Sequence, residues 1–261
     1  MAHPRVLVLR APGTNCDVET AYAFQQAGAV PERLHVNRLL ERPRLLEEYQ
    51  VLCIPGGFSY GDDLAAGRIL GEQMRRRLLE PLCRFRDQHK LIVGICNGFQ
   101  VLLKSGILLD DDAQHGPIAT LAWNDSGRYE DRWVHLRVAT NRSPLFAGIE
   151  RMYLPVAHAE GKFVTRDEAA LARLEAAGQI VLRYAAADPG DSAPLAYPAN
   201  PNGSQADVAG VCDATGRVCG LMPHPERFLD RTQHPRWTRG EAGDVGDGLA
   251  VFKNAVRFFA G

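Results

Sequence analysis

One cysteine in this chain, Cys96, lies in a sequence context that is typical of a nucleophile. It stands between Gly94 and Gly98 in a Gly-x-Cys-x-Gly pattern. The apolar residues 91–95 predict a buried strand before it, and residues 99–104 predict a helix after it. A nucleophile at such a junction sits on a sharp turn, where a Cβ at either glycine would crowd the neighbouring strand and helix. The alternative is a cysteine that only packs in the core, but a helix start favours a thiolate and so a nucleophile.

A cysteine nucleophile needs a base to take its proton, and His224 is the best candidate. It follows residues 218–222, which predict a strand, so it should face the same crevice as Cys96 at the carboxyl ends of the strands. Glu226 lies two residues later, and in an extended segment the two side chains would point to the same side. Glu226 would then accept a hydrogen bond from the imidazole and stabilise its charged form. A surface loop is the alternative interpretation of an isolated His-x-Glu pattern.

A third element is the glycine pair Gly56-Gly57, which follows a strand predicted over residues 51–54. A glycine-rich loop after a strand can bind a phosphate, or it can donate an N–H to an oxyanion. The chain has no Walker lysine here and no G-x-G-x-x-G pattern, so nucleotide binding by this loop has little support. We therefore expect the N–H groups of Gly57 and Asn97 to stabilise the oxygen of a carbonyl group that Cys96 attacks.

The elements around these residues predict an α/β fold. Short apolar segments alternate with helical ones in the first half, which indicates βαβ units and a mostly parallel sheet with helices on both faces. In that half, Asp17 is the predicted N-cap of the first helix. The predicted strands are residues 5–9, 51–54 and 91–95, and the predicted helices are residues 18–27 and 68–88.

The second half has a different pattern, which predicts an antiparallel extension of the sheet. Residues 133–139 alternate between apolar and polar side chains, as a half-buried strand does. Residues 208–212 and 217–222 flank a hairpin turn. Residues 249–259 predict a closing amphipathic helix, and residues 188–205 and 227–248 are expected to be loops. We see no repeat and no linker, so residues 1–261 are expected to form a single domain.

Composition narrows the class of protein. Of the 261 residues, 46% are hydrophobic and 23% charged, which is ordinary for a globular enzyme. A formal net charge of −1 gives no reason to expect nucleic acid or an anionic membrane as a partner. The first residues predict a strand rather than a signal peptide. The six cysteines include no C-x-x-C pair, so we expect no disulfide framework, no metal site and a cytoplasmic location.

The strand, sharp turn and helix around Cys96 form the pattern called a nucleophile elbow. This elbow, with Gln100 one helical turn later and His-Pro-Glu far downstream, resembles the class I, triad-type glutamine amidotransferases. Within that class, several further segments resemble the glutaminase subunits of phosphoribosylformylglycinamidine synthase. They are residues 9–17, 55–62, 96–100, 200–204 and 222–227. The resemblance implies a three-layer, flavodoxin-like α/β fold for this chain.

The resemblance also implies a reaction. Cys96 would attack the carboxamide of glutamine to give a γ-glutamyl thioester, His224 would transfer the proton, and Glu226 would orient His224. Gln100 would hold the amino-acid end of the substrate. The ammonia would pass to a synthetase subunit that uses ATP and Mg²⁺ to convert formylglycinamide ribonucleotide to formylglycinamidine ribonucleotide in purine (IMP) biosynthesis. A small bridging subunit is the other implied partner, and no cofactor is expected on this chain.

Two departures from the family pattern accompany the resemblance. Family members have His-Gly-Glu-Gly where this chain has His158, Ala159, Glu160 and Gly161. The segment of residues 228–248 is longer than the corresponding segment in compact bacterial members, and it resembles the tail of the large single-chain enzymes.

Two other functions use the same scaffold: a stand-alone cysteine hydrolase, such as a peptidase or γ-glutamyl hydrolase, and a non-catalytic regulatory protein. Gln100 argues against the first, and an intact set of Cys96, His224 and Glu226 argues against the second.

Overall fold

The computed structural model describes residues 3–112, 114–190 and 195–259. Eleven strands lie within these residues: β1 (Arg5–Arg10), β2 (Val30–His35), β3 (Val51–Ile54), β4 (Leu91–Ile95), β5 (Ala119–Ala122), β6 (Glu130–Val138), β7 (Arg151–His158), β8 (Lys162–Thr165), β9 (Ile180–Ala185), β10 (Val208–Cys212) and β11 (Val218–Leu221). The α-helices are α1 (Asp17–Gln26), α2 (Val36–Glu41), α3 (Arg68–Arg77), α4 (Leu79–Asp87), α5 (Asn97–Ser105), α6 (Glu168–Ala176) and α7 (Leu249–Arg257).

Nine of the strands form one sheet, in the order β2-β1-β3-β4-β11-β10-β9-β6-β7. The first five strands in this order are parallel, and their order is that of a flavodoxin-like sheet. Every residue of β3, β4 and β11 is buried, as expected for parallel strands with helices on both faces. Helix α1 packs against α7, whereas α3 packs against α5. The predicted α/β fold is therefore confirmed.

The antiparallel extension is also present. Strands β10 and β11 form the predicted hairpin, in which Gly210 pairs with Leu221. Strands β9, β6 and β7 continue the sheet with antiparallel pairing, and β6 contains most of the alternating segment predicted from residues 133–139. Strands β5 and β8 form a separate two-stranded sheet. Part of the loop predicted over residues 188–205, residues 191–194, lies outside the described residues.

Two local predictions were wrong. The helix predicted over residues 68–88 is interrupted at Leu78, where φ is −123° and ψ is −6°, so α3 and α4 are separate. Asp17 is the first residue of α1 and not its N-cap, a position that Cys16 occupies without a capping side-chain hydrogen bond. The Asp17 carboxylate is instead paired with Arg10 at 2.8 Å and Arg33 at 3.1 Å, which explains why it is buried near a helix start.

The segment of residues 228–248 is more ordered than the predicted loop. It contains two short 3-10 turns, Arg231–Gln233 and Trp237–Arg239. His234 is buried there against the rings of Trp133, Tyr153 and Phe228. The segment therefore packs on β6 and β7 as part of the fold. None of the helices in the described ranges has the length and hydropathy that a transmembrane helix requires.

Candidate active site

Cys96 occupies the turn between β4 and α5. Its backbone has a φ of +52° and a ψ of −107°, in a region that residues with a side chain rarely adopt. The Cys96 N–H donates a 2.8 Å hydrogen bond to the carbonyl of Leu221, which ties the turn to β11. The residue Cys96 is 5% exposed, and its Sγ lies 3.6 Å from the carbonyl oxygen of Ala157. The strained turn is thus fixed by the strand on its far side, as a nucleophile elbow requires.

The two glycines beside Cys96 are required by close backbone contacts. A Cβ on Gly94 would lie 2.5 Å from the carbonyl oxygen of Gly98, in the first turn of α5. A Cβ on Gly98 would lie 1.9 Å from the carbonyl oxygen of Ile54, at the end of β3. The crowding predicted from the sequence is therefore present on both sides. Because neither glycine has a Cβ, α5 can begin directly above the sheet.

His224 and Glu226 form a buried pair after β11. Nδ1 of His224 lies 2.6 Å from Oε1 of Glu226, and both residues are 1% exposed. The backbone N–H of His224 donates to the carbonyl of Pro155 at 2.8 Å, which fixes the segment to β7. The predicted pairing is present, but not through an extended backbone: Pro225–Arg227 is a 3-10 turn. The turn brings the two side chains together over two residues, and the proline begins it.

The surroundings of His224 favour its charged form. Burial opposes that form, but the Glu226 carboxylate and the Cys96 thiolate together raise the pKa of His224 well above its usual value. Because Nδ1 is bonded to the carboxylate, Nε2 is the nitrogen left for the thiol. Nε2 is buried and has no hydrogen-bond partner within the described part of the chain. The arrangement can therefore hold a thiolate next to an imidazolium.

A second thiol, that of Cys16, lies beside the same histidine. Sγ of Cys16 is 3.1 Å from Nη2 of Arg227 and 3.2 Å from Oδ1 of Asn15. Potential ligand atoms of Cys16, His224 and Glu226 lie within 4.8 Å of one another. The guanidinium of Arg227 contacts the same sulfur, and its positive charge disfavours a metal ion there. Burial raises the pKa of the Cys16 thiol, which favours its protonated and less nucleophilic form.

The thiol of Cys96 faces a cavity of about 190 Å³. That volume lies below the range of roughly 300–1,000 Å³ that is usual for small-molecule sites, so the cavity favours a small substrate. A larger cavity, of about 450 Å³, lies elsewhere, near the β10–β11 turn, and is lined by none of the predicted catalytic residues. The smaller cavity is lined by Gly57, Phe58, Asp62, Ala66, Cys96, Gln100, Trp123, Ala157, His158, Ala159 and Glu160.

The predicted oxyanion donors lie on either side of the elbow. Gly57 lines the cavity, and Asn97 is the first residue of α5. Within the described residues, neither N–H donates to another group, so both are available to a ligand. Gly56 has a different position: a Cβ there would lie 2.7 Å from Cε1 of His224. Gly56 thus makes room for the imidazole, and Gly57 is the glycine on the cavity wall.

Gln100 belongs to a network that fixes the cavity wall. Its Nε2 donates to the carbonyl of Glu160 at 2.6 Å, and its Oε1 accepts from Nδ2 of Asn97 at 2.9 Å. Nδ2 of Asn97 also lies 3.1 Å from Oδ1 of Asp62, and Oδ1 of Asn97 accepts from the backbone N–H of Ser59 at 3.1 Å. Both polar groups of Gln100 are therefore used within the protein, and it holds Glu160 in place.

Asn124 supports the wall of the cavity, and the sequence analysis did not identify it. Its Nδ2 donates to the carbonyls of Arg128 and His158 at 2.9 and 2.8 Å, and its Oδ1 accepts from the N–H of Gly161 at 3.1 Å. The same oxygen lies 3.2 Å from Nδ1 of His158. An isolated asparagine in a loop gives no sequence signal for such a role, because its partners at the cavity, His158 and Gly161, lie 34 and 37 residues away along the chain.

Comparisons with known proteins agree with this geometry. A family model described as the CobB/CobQ-like glutamine amidotransferase domain matches residues 3–259. The phosphoribosylformylglycinamidine synthase subunit PurQ of Dehalococcoides mccartyi is 47% identical and covers 99% of this chain and 98% of that protein. The subunit of the same name from Methanococcus maripaludis is 40% identical, with 98% and 97% covered. A chain in the structure of PurLQS from Thermotoga maritima is 30% identical, with a TM-score of 0.74 and coverage of 98% and 99%.

Proposed function

This chain belongs to the PurQ family of glutamine amidotransferases, and we propose that it is the glutaminase subunit of a phosphoribosylformylglycinamidine synthase. It hydrolyses glutamine to glutamate and ammonia. The ammonia is delivered to a synthetase subunit, which converts formylglycinamide ribonucleotide to formylglycinamidine ribonucleotide with consumption of ATP. The chain thereby takes part in purine biosynthesis.

The buried pair of His224 and Glu226 beside the Cys96 elbow carries this proposal. His224 takes the thiol proton at Nε2, and the Sγ thiolate of Cys96 attacks the carboxamide carbon of glutamine. The carbonyl oxygen becomes an oxyanion, which accepts hydrogen bonds from the N–H groups of Gly57 and Asn97. The imidazolium then gives its proton to the leaving nitrogen, and the C–N bond breaks to release ammonia and leave a γ-glutamyl thioester on Cys96.

The second half of the reaction uses the same groups. His224 takes a proton from a water molecule, which attacks the thioester carbon, and the C–S bond breaks to release glutamate and the Cys96 thiolate. The part of Glu226 is to accept the hydrogen bond from Nδ1–H and stabilise the imidazolium. Ammonia has to leave within protein, because in neutral water most of it would be protonated and lose its nucleophilicity.

The partners of the chain are inferred from the way the overall reaction is divided between subunits. The structure of PurLQS from Thermotoga maritima contains a chain like this one in an assembly whose name includes PurL and PurS. By that likeness the synthetase subunit and a small bridging subunit are the partners here. ATP and Mg²⁺ belong to the synthetase, and the chain itself requires no cofactor. The six cysteines are all free, which supports a location in the reducing cytoplasm.

Glutaminase activity of the chain, measured with and without the synthetase subunit, tests this function. We expect ammonia release from glutamine that rises strongly when the synthetase is added. A 6-diazo-5-oxo-norleucine label should appear on Cys96 with a stoichiometry of one. Hydrolysis of peptides or γ-glutamyl peptides in preference to glutamine, with no effect of the synthetase, would instead identify a stand-alone cysteine hydrolase. Absence of both activity and label in the assembled complex would indicate a non-catalytic protein.

A further inference from the structure

The turn that carries His224 and Glu226 is anchored at both of its ends. At its start, the backbone N–H of His224 donates to the carbonyl of Pro155 on β7. At its end, the side chain of Arg227 reaches α1, where its Nε donates to Oε1 of Glu19 at 2.9 Å. The base and the group that orients it therefore lie between an anchor on β7 and an anchor on α1.

Arg227 has a second contact at the same end of α1. Its Nη2 donates to Sγ of Cys16 at 3.1 Å, and Cys16 is the residue directly before the helix. Cys16 is 1% exposed, and its backbone N–H donates to the carbonyl of Gly56 at 3.3 Å. Because the donors of a guanidinium form a rigid planar fork, two contacts fix its direction as well as its distance from the helix.

Cys16 also lies beside the imidazole of His224. A Cβ on Gly56 would be 3.1 Å from Sγ of Cys16 and 2.7 Å from Cε1 of His224, so the sulfur and the ring lie against the same glycine. The sulfur is within 4.8 Å of a ring nitrogen of His224 and of a carboxylate oxygen of Glu226. Arg227 is therefore connected to the catalytic pair in two ways: along the backbone of the turn, and through the sulfur of Cys16.

The surroundings of Arg227 argue against a role that is mainly stabilising. The side chains of Arg227 and Glu19 are 36% and 38% exposed, and ion pairs with this exposure contribute little to the free energy of unfolding. Arg227 also lies outside the set of residues that line the cavity of the Cys96 thiol. The contacts of Arg227 fix the direction of the turn, and the direction of the turn sets where the imidazole lies.

Building on the proposed glutaminase function, we propose that Arg227 is a positioning residue for the catalytic base. By bonding Glu19 and Cys16 it holds the end of the turn against α1, and this keeps Nε2 of His224 directed at the Cys96 thiol. A displacement of reacting groups by about 1 Å can lower a rate on the order of 100-fold, so a contact outside the cavity can still control turnover.

The test measures ammonia release from glutamine in the complex assembled with the synthetase and bridging subunits. Arg227→Met removes both contacts, whereas Glu19→Ala removes the ion pair alone. The two single variants and the double variant are compared with wild type. Arg5→Met is the matched control, because Arg5 has similar exposure and pairs with Glu32 and Glu48 at the start of β1, at the end of the sheet opposite to the site.

We expect kcat to fall by about 10- to 100-fold in Arg227→Met, with an unchanged KM for glutamine, because the cavity wall is intact. Glu19→Ala should lower kcat less. The double variant should be no slower than Arg227→Met, because Glu19 acts through Arg227.

Alkylation of Cys96 by iodoacetamide at neutral pH, followed by mass spectrometry in the same complexes, reads the thiolate directly. It should become slower in Arg227→Met, since a displaced imidazole stabilises the thiolate less. Arg5→Met should keep the wild-type kcat and alkylation rate. The urea midpoints of Arg227→Met and Arg5→Met should be similar.

Four results would overturn the inference. Wild-type kcat in Arg227→Met, or independent losses that add in the double variant, would mean that the contact with α1 does not position the base. A raised KM at constant kcat would mean that Arg227 acts on substrate binding, and a rate restored by excess synthetase would place it at the subunit interface.

If Arg227→Met does not fold, Glu19→Ala decides alone: a lower kcat at an unchanged urea midpoint supports the inference, and wild-type kcat contradicts it. In each of these cases an active wild-type complex leaves the glutaminase function standing. A wild-type complex that releases no ammonia from glutamine contradicts that function itself.

Discussion

Nδ1 of His224 lies 2.6 Å from Oε1 of Glu226, and the pair is buried beside the strained turn that carries Cys96. The carboxylate opposes the effect of burial on the imidazole and helps to raise the pKa of His224 well above its usual value. This short contact therefore fixes the tautomer of the base and favours its charged form.

The pH profile of glutamine hydrolysis should depend on Glu226. A raised pKa keeps His224 protonated at neutral pH, so the alkaline limb of the profile lies well above pH 6.5 in the wild type. In Glu226→Gln the attraction of the carboxylate is lost, the pKa of His224 falls, and the alkaline limb moves to lower pH. We also expect kcat to fall on the order of a thousandfold or more.

Glu226→Asp serves as the control, because it keeps the negative charge on a shorter side chain. Its alkaline limb should stay nearer to that of the wild type even if kcat falls. An unchanged alkaline limb in Glu226→Gln would contradict the assignment of Glu226 as the partner of His224.

The close contact between α5 and β3 should make Gly98 intolerant of a side chain. In Gly98→Ala the added Cβ would lie 1.9 Å from the carbonyl oxygen of Ile54, so the backbone has to move. We expect a loss of about 2 to 3 kcal/mol in the free energy of unfolding, measured by urea denaturation. Gly243→Ala is the control, since its Cβ would meet only the Val245 carbonyl at 3.7 Å. Equal stability of the two variants would refute the packing argument.

Asn124 should matter for both stability and substrate binding. Asn124→Ala leaves the carbonyl of His158 and the N–H of Gly161 without their partner, and we expect a loss of roughly 3 kcal/mol in the free energy of unfolding. The cavity wall formed by His158 and Glu160 would loosen, so the KM for glutamine should rise. Asn141→Ala, at an exposed position, should change neither quantity. A normal KM in a destabilised Asn124→Ala would show that the network supports only the fold.

The sequence predicted the elements that place the nucleophile and the base. Strands β3, β4 and β11 are short and wholly apolar, and each has a glycine or proline within three residues of its end. Such local patterns suffice to identify buried strands. The elbow at Cys96 was equally clear, because both of its glycines are set by contacts next to the turn. The edge strand β2 gave no such signal, since Pro31 and the exposed polar residues Glu32 and Arg33 obscure its pattern.

The polar network around the cavity could not be predicted from local pattern. Asn124 and Gly161 are 37 residues apart, and Gln100 reaches Glu160 across 60 residues. Contacts of this kind depend on the packing of β7 against the rest of the sheet. The prediction that Asp17 is the N-cap of the first helix failed for a related reason. Its carboxylate pairs with arginines on β1 and β2, which the residues of α1 alone do not reveal.

The most direct test of the function compares Cys96→Ala with Cys83→Ala in the complex assembled with the synthetase and bridging subunits. Synthesis of formylglycinamidine ribonucleotide is measured with glutamine and, separately, with ammonium salt at alkaline pH. We predict that Cys96→Ala abolishes glutamine-dependent synthesis and keeps ammonia-dependent synthesis, while Cys83→Ala, on α4 away from the cavity, keeps both. Equal loss of both activities in Cys96→Ala, or glutamine-dependent synthesis that persists without the Cys96 thiol, would contradict the account.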